Sequence, residues 1–184
     1  RGQVSFGGAI MDNTTKGNAW NPDGFVYVYG IQEDPTNKKA LAARDLADQF
    51  TNFSEYKFWD GISWVTDISQ SAPMCGRLSN EFSVTALPNG QFLMAFQKDC
   101  VARQITVRLG DSPVGPWGKM IDVYSCPVPN QPPGIFTYNA KAHPQISDPG
   151  TLLISYNVNT IGSFWDHFDY ADIYRPRFIR LRMR

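Results

Sequence analysis

The sequence predicts an all-β fold assembled from repeated four-stranded antiparallel units. Three observations carry this. Short alternating apolar and β-branched runs recur along the whole chain, each closed by Gly, Pro, Asn or Asp. Aromatic residues reach 14% while charged residues hold at 18%, and 15 glycines and 13 prolines supply many turns, a balance that favours short strands over long helices. The runs also return in the same order from one stretch of chain to the next, as internal repeats do.

The first unit, spanning about 1–68, opens with SFGGAIMD and passes through the polar loop NTTKGNAWNPDG to FVYVYGIQ. It continues with KKALAARDL and ends in EYKFWDGISWV. Within it, LAARDLADQF also fits a short helix with Leu41, Leu46 and Phe50 on one face. The second unit, 69–130, runs EFSVTAL, a turn at Pro88-Asn89-Gly90, QFLMAFQ, QITVRLGD and MIDVYSCP. The third, 131–184, starts at AKAHPQIS, turns at Asp148-Pro149-Gly150 into TLLISYNVN, and closes after an aromatic loop with RPRFIRLRMR. Asp23-Gly24, Asn89-Gly90 and Pro149-Gly150 place residues tolerant of positive φ where tight turns need them. Four-stranded sheets repeating every 60 to 70 residues or so are the mark of a β-propeller, whose rings hold about four to eight blades. About three blades are present here, so the expectation is part of a larger ring. An additional N-terminal portion or a second polypeptide would complete it.

A formal net charge of zero, with cations scattered along the chain, leaves no footprint for nucleic acid or an anionic membrane. The basic C-terminal run alternates Arg177, Ile179, Leu181 and Met183 with Phe178, Arg180 and Arg182, which reads as a terminal strand with one polar face. No apolar run approaches the roughly 20 residues of a membrane span. Cys75, Cys100 and Cys126 have no metal-binding spacing, and one disulfide among them is expected. Two glycosylation sequons, Asn13-Thr14-Thr15 and Asn52-Phe53-Ser54, lie in turn-rich stretches. Together these features predict a secreted or periplasmic glycoprotein.

The strings VYVYGIQ, EYKFWDGISWV, NEFSVTALPNGQFLMAF, DSPVGPWGK, YNAKAHPQIS, LLISYNVNT and DIYRPRFIRL, in this order, resemble a family of five-bladed propellers catalogued as domains of unknown function. Some members of that family resemble endo-acting D-arabinan hydrolases. The Ser112–Trp117 element resembles a turn of arabinanase-like glycoside hydrolases. The resemblance implies a five-bladed ring, a central funnel and a glycan substrate, with two blades ahead of Arg1. In the arabinanase-like propellers a glutamate on the inner strand of the third blade donates the proton, and Glu81 would stand one blade later.

Inner-strand starts are the first places to seek chemistry. Glu81 opens EFSVTAL, and its neighbours Phe82 and Leu78 would desolvate it, as a general acid for glycoside hydrolysis requires. A solvated carboxylate, or one paired with Arg77, is the plainer account. His143 precedes Pro144, which blocks ladder bonding and suggests a strand start facing the channel; a core histidine is the alternative. Asp12 ends the first strand as a candidate second carboxylate or simply a turn residue. Lys141 shares a strand face with His143, and the resemblance also runs through Tyr138, so both are candidate substrate contacts. Gly7 and Gly8 leave room for a ligand. Asn157 lies with Asn159 on one face of the following strand. Trp20, Trp165 and Asp166 sit in loops that join stacking surface to polar groups, whereas Trp59, Trp64 and Trp117 follow packing patterns. No cofactor is implied; the resemblance allows a structural cation such as calcium, though no carboxylate cluster calls for one. The expected function is a glycoside hydrolase-like propeller acting on an arabinan-like or other polysaccharide. A lectin-like carbohydrate-binding propeller without catalysis, and a scaffold module, are the alternatives.

Overall fold

The computed structural model describes residues 2–127 and 132–183. The expected boundary between the second and third units, at 130/131, lies outside the described residues.

The described residues form three antiparallel sheets, each a meander in sequence order. Sheet 1 holds β1 (Val4–Asn13), β2 (Phe25–Gln32), β3 (Lys39–Leu46), β4 (Lys57–Trp59) and β5 (Trp64–Val65). It has five strands where four were expected, because the run EYKFWDGISWV folds back on itself. The Asp60 carboxylate accepts the backbone N–H of Ile62 and of Ser63 at 2.8 and 2.6 Å, and Gly61 takes φ +102°, which together build a tight turn. The helical alternative for LAARDLADQF is not adopted. Both faces of β3 are needed inside: Ala40 and Ala42 enter one core cluster and Ala43 another, and the chain leaves the strand at Leu46 into turns.

Sheet 2 holds β6 (Phe82–Ala86), β7 (Phe92–Gln97), β8 (Gln104–Gly110) and β9 (Ile121–Ser125). Its first hairpin closes through Leu87 and Gln91, with Gly90 at φ +85°. Sheet 3 holds three strands, β10 (Ile135–Ala142), β11 (Thr151–Thr160) and β12 (Arg177–Arg182). Its first strand is IFTYNAKA, not AKAHPQIS. Pro144, which has no N–H to give a ladder, begins a short 3-10 turn over Pro144–Ile146, so the strand stops just before His143.

Alternation sorts the side chains between neighbouring sheets. From sheet 1, Ala9, Met11, Tyr27, Tyr29 and Ala42 meet Phe82, Val84, Phe92, Met94 and Phe96 of sheet 2. From sheet 2, Leu93, Ala95, Ile105 and Val107 meet Ala140, Ala142, Ile154, Tyr156 and Val158 of sheet 3. Ile179, Leu181 and Met183 of the basic C-terminal strand pack on this second cluster, and Phe178 points away, exposed. Burying a ring such as that of Phe82 contributes about 1.5–3 kcal/mol. Two polar ties reinforce the apolar ones. Buried Gln97 donates to Thr137 Oγ1 at 2.7 Å, joining sheets 2 and 3, and the Tyr29 hydroxyl donates to Pro113 O at 3.0 Å, fixing the Ser112–Trp117 turn to sheet 1.

The expected disulfide is absent. All three cysteines are free thiols: Cys75 Sγ lies 3.8 Å from Met94 Sδ, Cys100 Sγ 3.7 Å from Leu78 O, and Cys126 Sγ 3.8 Å from Gln97 Nε2.

Candidate functional site

The first strands of the three sheets lie together, β1 against β6 and β6 against β10. Each of β1 and β10 carries a bulge. In β1 the register shifts across Gly7 and Gly8, with Gly7 at φ +106°; in β10 it shifts across Asn139 and Ala140, with Asn139 at φ +60°. The bulges aim side chains between the sheets. Lys141 reaches from sheet 3 to sheet 1, where its Nζ donates to Gly8 O at 3.1 Å, and Ser83 Oγ accepts the backbone N–H of Ala142 at 2.8 Å.

A cleft of about 370 Å³ opens along these strands. Ile10, Met11 and Asp12 of β1 line it with Ser83–Ala86 on β6, and Ala142, Pro144 and Gln145 close its far side. The β1–β2 loop adds Asn18 and Trp20, the latter 64% exposed. The Thr85 hydroxyl is buried beneath it with no hydrogen-bond partner among the described residues. Stacking surface, hydroxyls and amides thus share one hollow. Of the expected site residues, Trp20 and Asp12 line it, and Lys141 and His143 flank the wall residue Ala142 in sequence.

Asp12 does not act there as a free carboxylate. Its Oδ1 accepts both the backbone N–H and the hydroxyl of Thr14, at 3.1 and 2.6 Å, so it is the turn residue that starts the loop carrying Trp20. It is also far from Glu81. A Cβ on Gly8 would stand 3.0 Å from Asn80 O and 3.8 Å from the Phe82 ring, which sets Gly8 level with Glu81. Asp12 is four residues further along β1, about 13 Å of backbone at the rise of a strand. Catalytic carboxylate pairs stand about 5–5.5 Å apart in retaining enzymes and about 6.5–9.5 Å in inverting ones, both shorter than the stretch of β1 between the level of Glu81 and Asp12.

Glu81 immediately precedes β6, half-buried, and its carboxylate has no hydrogen bond or ion pair among the described residues. Arg77 is not its partner; the Arg77 guanidinium takes Asp99, with Nε to Oδ1 at 2.8 Å. Glu81 does not line the Trp20 cleft, whose β6 wall begins at Ser83. His143 is held at the close of β10, not at a strand start: its Nε2 lies 2.7 Å from Ser155 Oγ on β11, and its carbonyl accepts the Ser147 hydroxyl at 2.7 Å.

A second hollow, about 210 Å³, opens on sheet 3 between Tyr138, Asn157, Tyr174, Arg175 and Pro176. Burial, the largest cause, and the neighbouring Tyr174 raise the Tyr138 phenol above its ordinary range. Trp165 and Asp166 line neither hollow. Trp165 is exposed and packs edge-on against Phe164 and tilted against Phe168 at the short helix α1 (Asp166–Asp169), and Asp166 accepts from the Thr160 hydroxyl at 3.3 Å. This loop is fastened to the sheet by His167, whose Nε2 lies 2.8 Å from Asn159 Oδ1. Among the described residues no group of three or more His, Cys, Asp or Glu gathers to hold a metal.

Ser83, Thr85, Asn18 and Gln145 were not singled out from the sequence. The alternation of EFSVTAL carried the signal for two of them: Phe82 and Val84 face the sheet 1 core, so Ser83 and Thr85 must face the other way.

A larger solved protein shares this fold. The crystal structure of a "putative hydrolase" from Bacteroides ovatus ATCC 8483 matches 96% of the chain with a TM-score of 0.74 at 22% identity, and the chain spans 44% of that protein's length. An α-L-arabinofuranosidase (CtGH43) from Clostridium thermocellum ATCC 27405 matches at 14% identity with a TM-score of 0.36, over 87% of this chain and 53% of that one, too distant a likeness to bear on the fold. No curated protein matches the chain. A family model does, over residues 6–183 and hence over nearly the whole sequence: the chain belongs to the family described as Domain of unknown function (DUF5005).

Proposed function

We propose that this chain is the saccharide-binding part of a larger, glycoside hydrolase-like protein acting on an arabinan-like or other neutral polysaccharide. The cleft walled by Trp20 is the observation that carries the reading. Sugars offer apolar C–H faces to an indole and hydroxyls to amides and alcohols, and Trp20, Asn18, Gln145 and Ser83 supply those groups around one hollow. Its volume falls within the range of small-ligand sites. Among the described residues that line the cleft Asp12 is the charged one, and its Oδ1 is held by Thr14.

Hydrolysis is a second reading, favoured by the unpaired Glu81 carboxylate beside the Gly7–Gly8 bulge. In that reading Glu81 protonates the leaving oxygen and the second carboxylate belongs to polypeptide outside this chain, because Asp12 is engaged as the turn residue of the β1–β2 loop. Calorimetric titration with arabino-oligosaccharides and a panel of neutral glycans tests the binding role. Heat in the wild type and at least about tenfold weaker binding in Trp20→Ala, ~1.4 kcal/mol, are expected; equal affinity in the two ends the proposal. Reducing-end release by the larger protein tests the second reading. Glu81→Gln should abolish release while leaving binding intact, and undiminished turnover removes Glu81 from the chemistry. Binding without any release in the wild type assigns a lectin-like role.

A further inference from the structure

The two glycosylation sequons take opposite places in the fold. Asn13 is the last residue of β1, paired to Phe25 and 1% exposed, and its Nδ2 donates to Asn21 O at 3.3 Å. The hydroxyl of Thr14 beside it donates to Asp12 Oδ1 at 2.6 Å and accepts the backbone N–H of Gly17 at 3.0 Å. A glycan is a bulky, hydrated substituent that needs open surface, and the Asn13 amide is buried away from any. Asn52 stands in the other setting. It lies in the exposed stretch 51–55 between β3 and β4, where two successive turns, Asn52 N to Gln49 O at 2.7 Å and Glu55 N to Asn52 O at 3.0 Å, hold the backbone. Ser54 Oγ donates to Asn52 Oδ1 at 2.7 Å, and Asn52 Nδ2 makes no hydrogen bond among the described residues. The amide nitrogen is thus left free at an exposed position, with the sequon hydroxyl already on its carbonyl.

The residue between Asn52 and Ser54 decides where a sugar attached there would lie. Phe53 is 80% exposed, although a phenyl ring is ordinarily buried, and its ring stands 5.7 Å from that of Tyr56, which in turn stands 6.0 Å from Phe50. A small aromatic ledge therefore flanks the acceptor amide. On the other side of Asn52 a hollow of about 430 Å³, lined also by Gln49, Glu55 and Lys57, leaves room for further sugars. We propose that Asn52 carries an N-linked glycan whose first sugar lies over the Phe53 ring, and that Asn13 carries none. The donor is an oligosaccharide linked to a polyprenyl diphosphate. Asn52 Nδ2 forms the bond to C1 of the reducing-end sugar while the bond from C1 to the diphosphate oxygen breaks; the lipid diphosphate leaves with that electron pair, and the amide nitrogen gives up one proton. The apolar C–H face of the attached sugar then shields a ring that stands in solvent without it. The inference does not rest on the saccharide reading, since no residue of 49–56 lines the Trp20 cleft.

Digestion of the protein, as isolated from its source, with peptide N-glycosidase in heavy-oxygen water tests the linkage, because the enzyme turns each glycan-bearing Asn into a heavy-oxygen Asp. Peptide mapping should find the mark at Asn52 and leave Asn13 unmarked. An unmarked Asn52 overturns the proposal, and a marked Asn13 overturns its second half. Two variants made in the same source separate the sequon from chance deamidation: Ser54→Ala should lose the mark at Asn52 and Ser54→Thr should keep it. A mark that persists in Ser54→Ala counts against the assignment. Hydroxyl-radical footprinting before and after the sugar is removed from the folded protein tests its position. Labelling of Phe53 should rise several-fold on removal, whereas Phe178, 55% exposed on sheet 3, should label alike in both samples. Equal labelling of Phe53 would take the sugar off the ring.

Discussion

Arg77 and Asp99 show how a local charge pair should respond to acid. The guanidinium, by hydrogen bonding and by its charge, holds the Asp99 carboxyl below its ordinary value of 3.8. A carboxyl whose folded value is depressed adds stability above its unfolded value, and that stability is lost as pH falls through the folded value. The window here therefore opens near pH 4 and extends downward. Both side chains are more than a third exposed, so solvent screens the pair and its contribution stays below about 1 kcal/mol. Urea titrations of the wild type and Asp99→Asn should differ slightly at pH 7 and converge under acid; a gap that widens toward acid contradicts the assignment. The cysteines give a second test at this scale. Burial pushes Cys75 up to about 11 and also raises Cys100 and Cys126, so all three are neutral thiols near pH 7 and should alkylate slowly with iodoacetamide until the chain is unfolded. Rapid alkylation of Cys75 in the folded chain would show that it is not buried. The pairing expected from the sequence failed for a related reason: cysteine counting reports composition, whereas each thiol found its own partner in Met94, Leu78 or Gln97.

Strand elements were legible wherever alternation and turn chemistry agreed. FVYVYGIQ, QFLMAFQ and TLLISYNVN became β2, β7 and β11 within a residue or two, because Gly24, Gly90 and Gly150 all take the positive φ that their turns require. Replacing Gly90 by Ala should cost about 1–2 kcal/mol in urea unfolding, since a Cβ at φ +85° is strained and would also stand 3.2 Å from Asn21 Nδ2. An unchanged midpoint would show that the β6–β7 turn relaxes freely. Where the sequence misled, a local hydrogen bond outweighed periodicity. Asp60 folded one expected strand into two, and Pro144 ended β10 where a strand was expected to begin, which moved His143 from an opening position to a closing one. The same limit governed the site. Glu81 and Asp12 both sit at strand ends, but a sequence does not say that those ends are opposite ones; the contact of Gly8 with Asn80 and Phe82 does.

For the whole molecule, the three sheets act as one stack because consecutive faces are shared. Phe82 lies in the seam between sheets 1 and 2 with no exposed surface, and Phe82→Ala should destabilise the chain by about 3–5 kcal/mol, read as a lower urea midpoint with loss of structure in both sheets together. Loss confined to sheet 2 would show that the sheets unfold independently. The stack matters to the proposed function because the cleft beside Trp20 belongs to no single sheet: β1 and its loop, β6, and the end of β10 each supply one wall. Hydrogen exchange measured with and without a bound oligosaccharide tests that placement most directly. The account predicts added protection in residues 12–20, 83–86 and 142–145 together. Protection around Tyr138, Tyr174 and Arg175, with no change near Trp20, would put the sugar in the other hollow and contradict it.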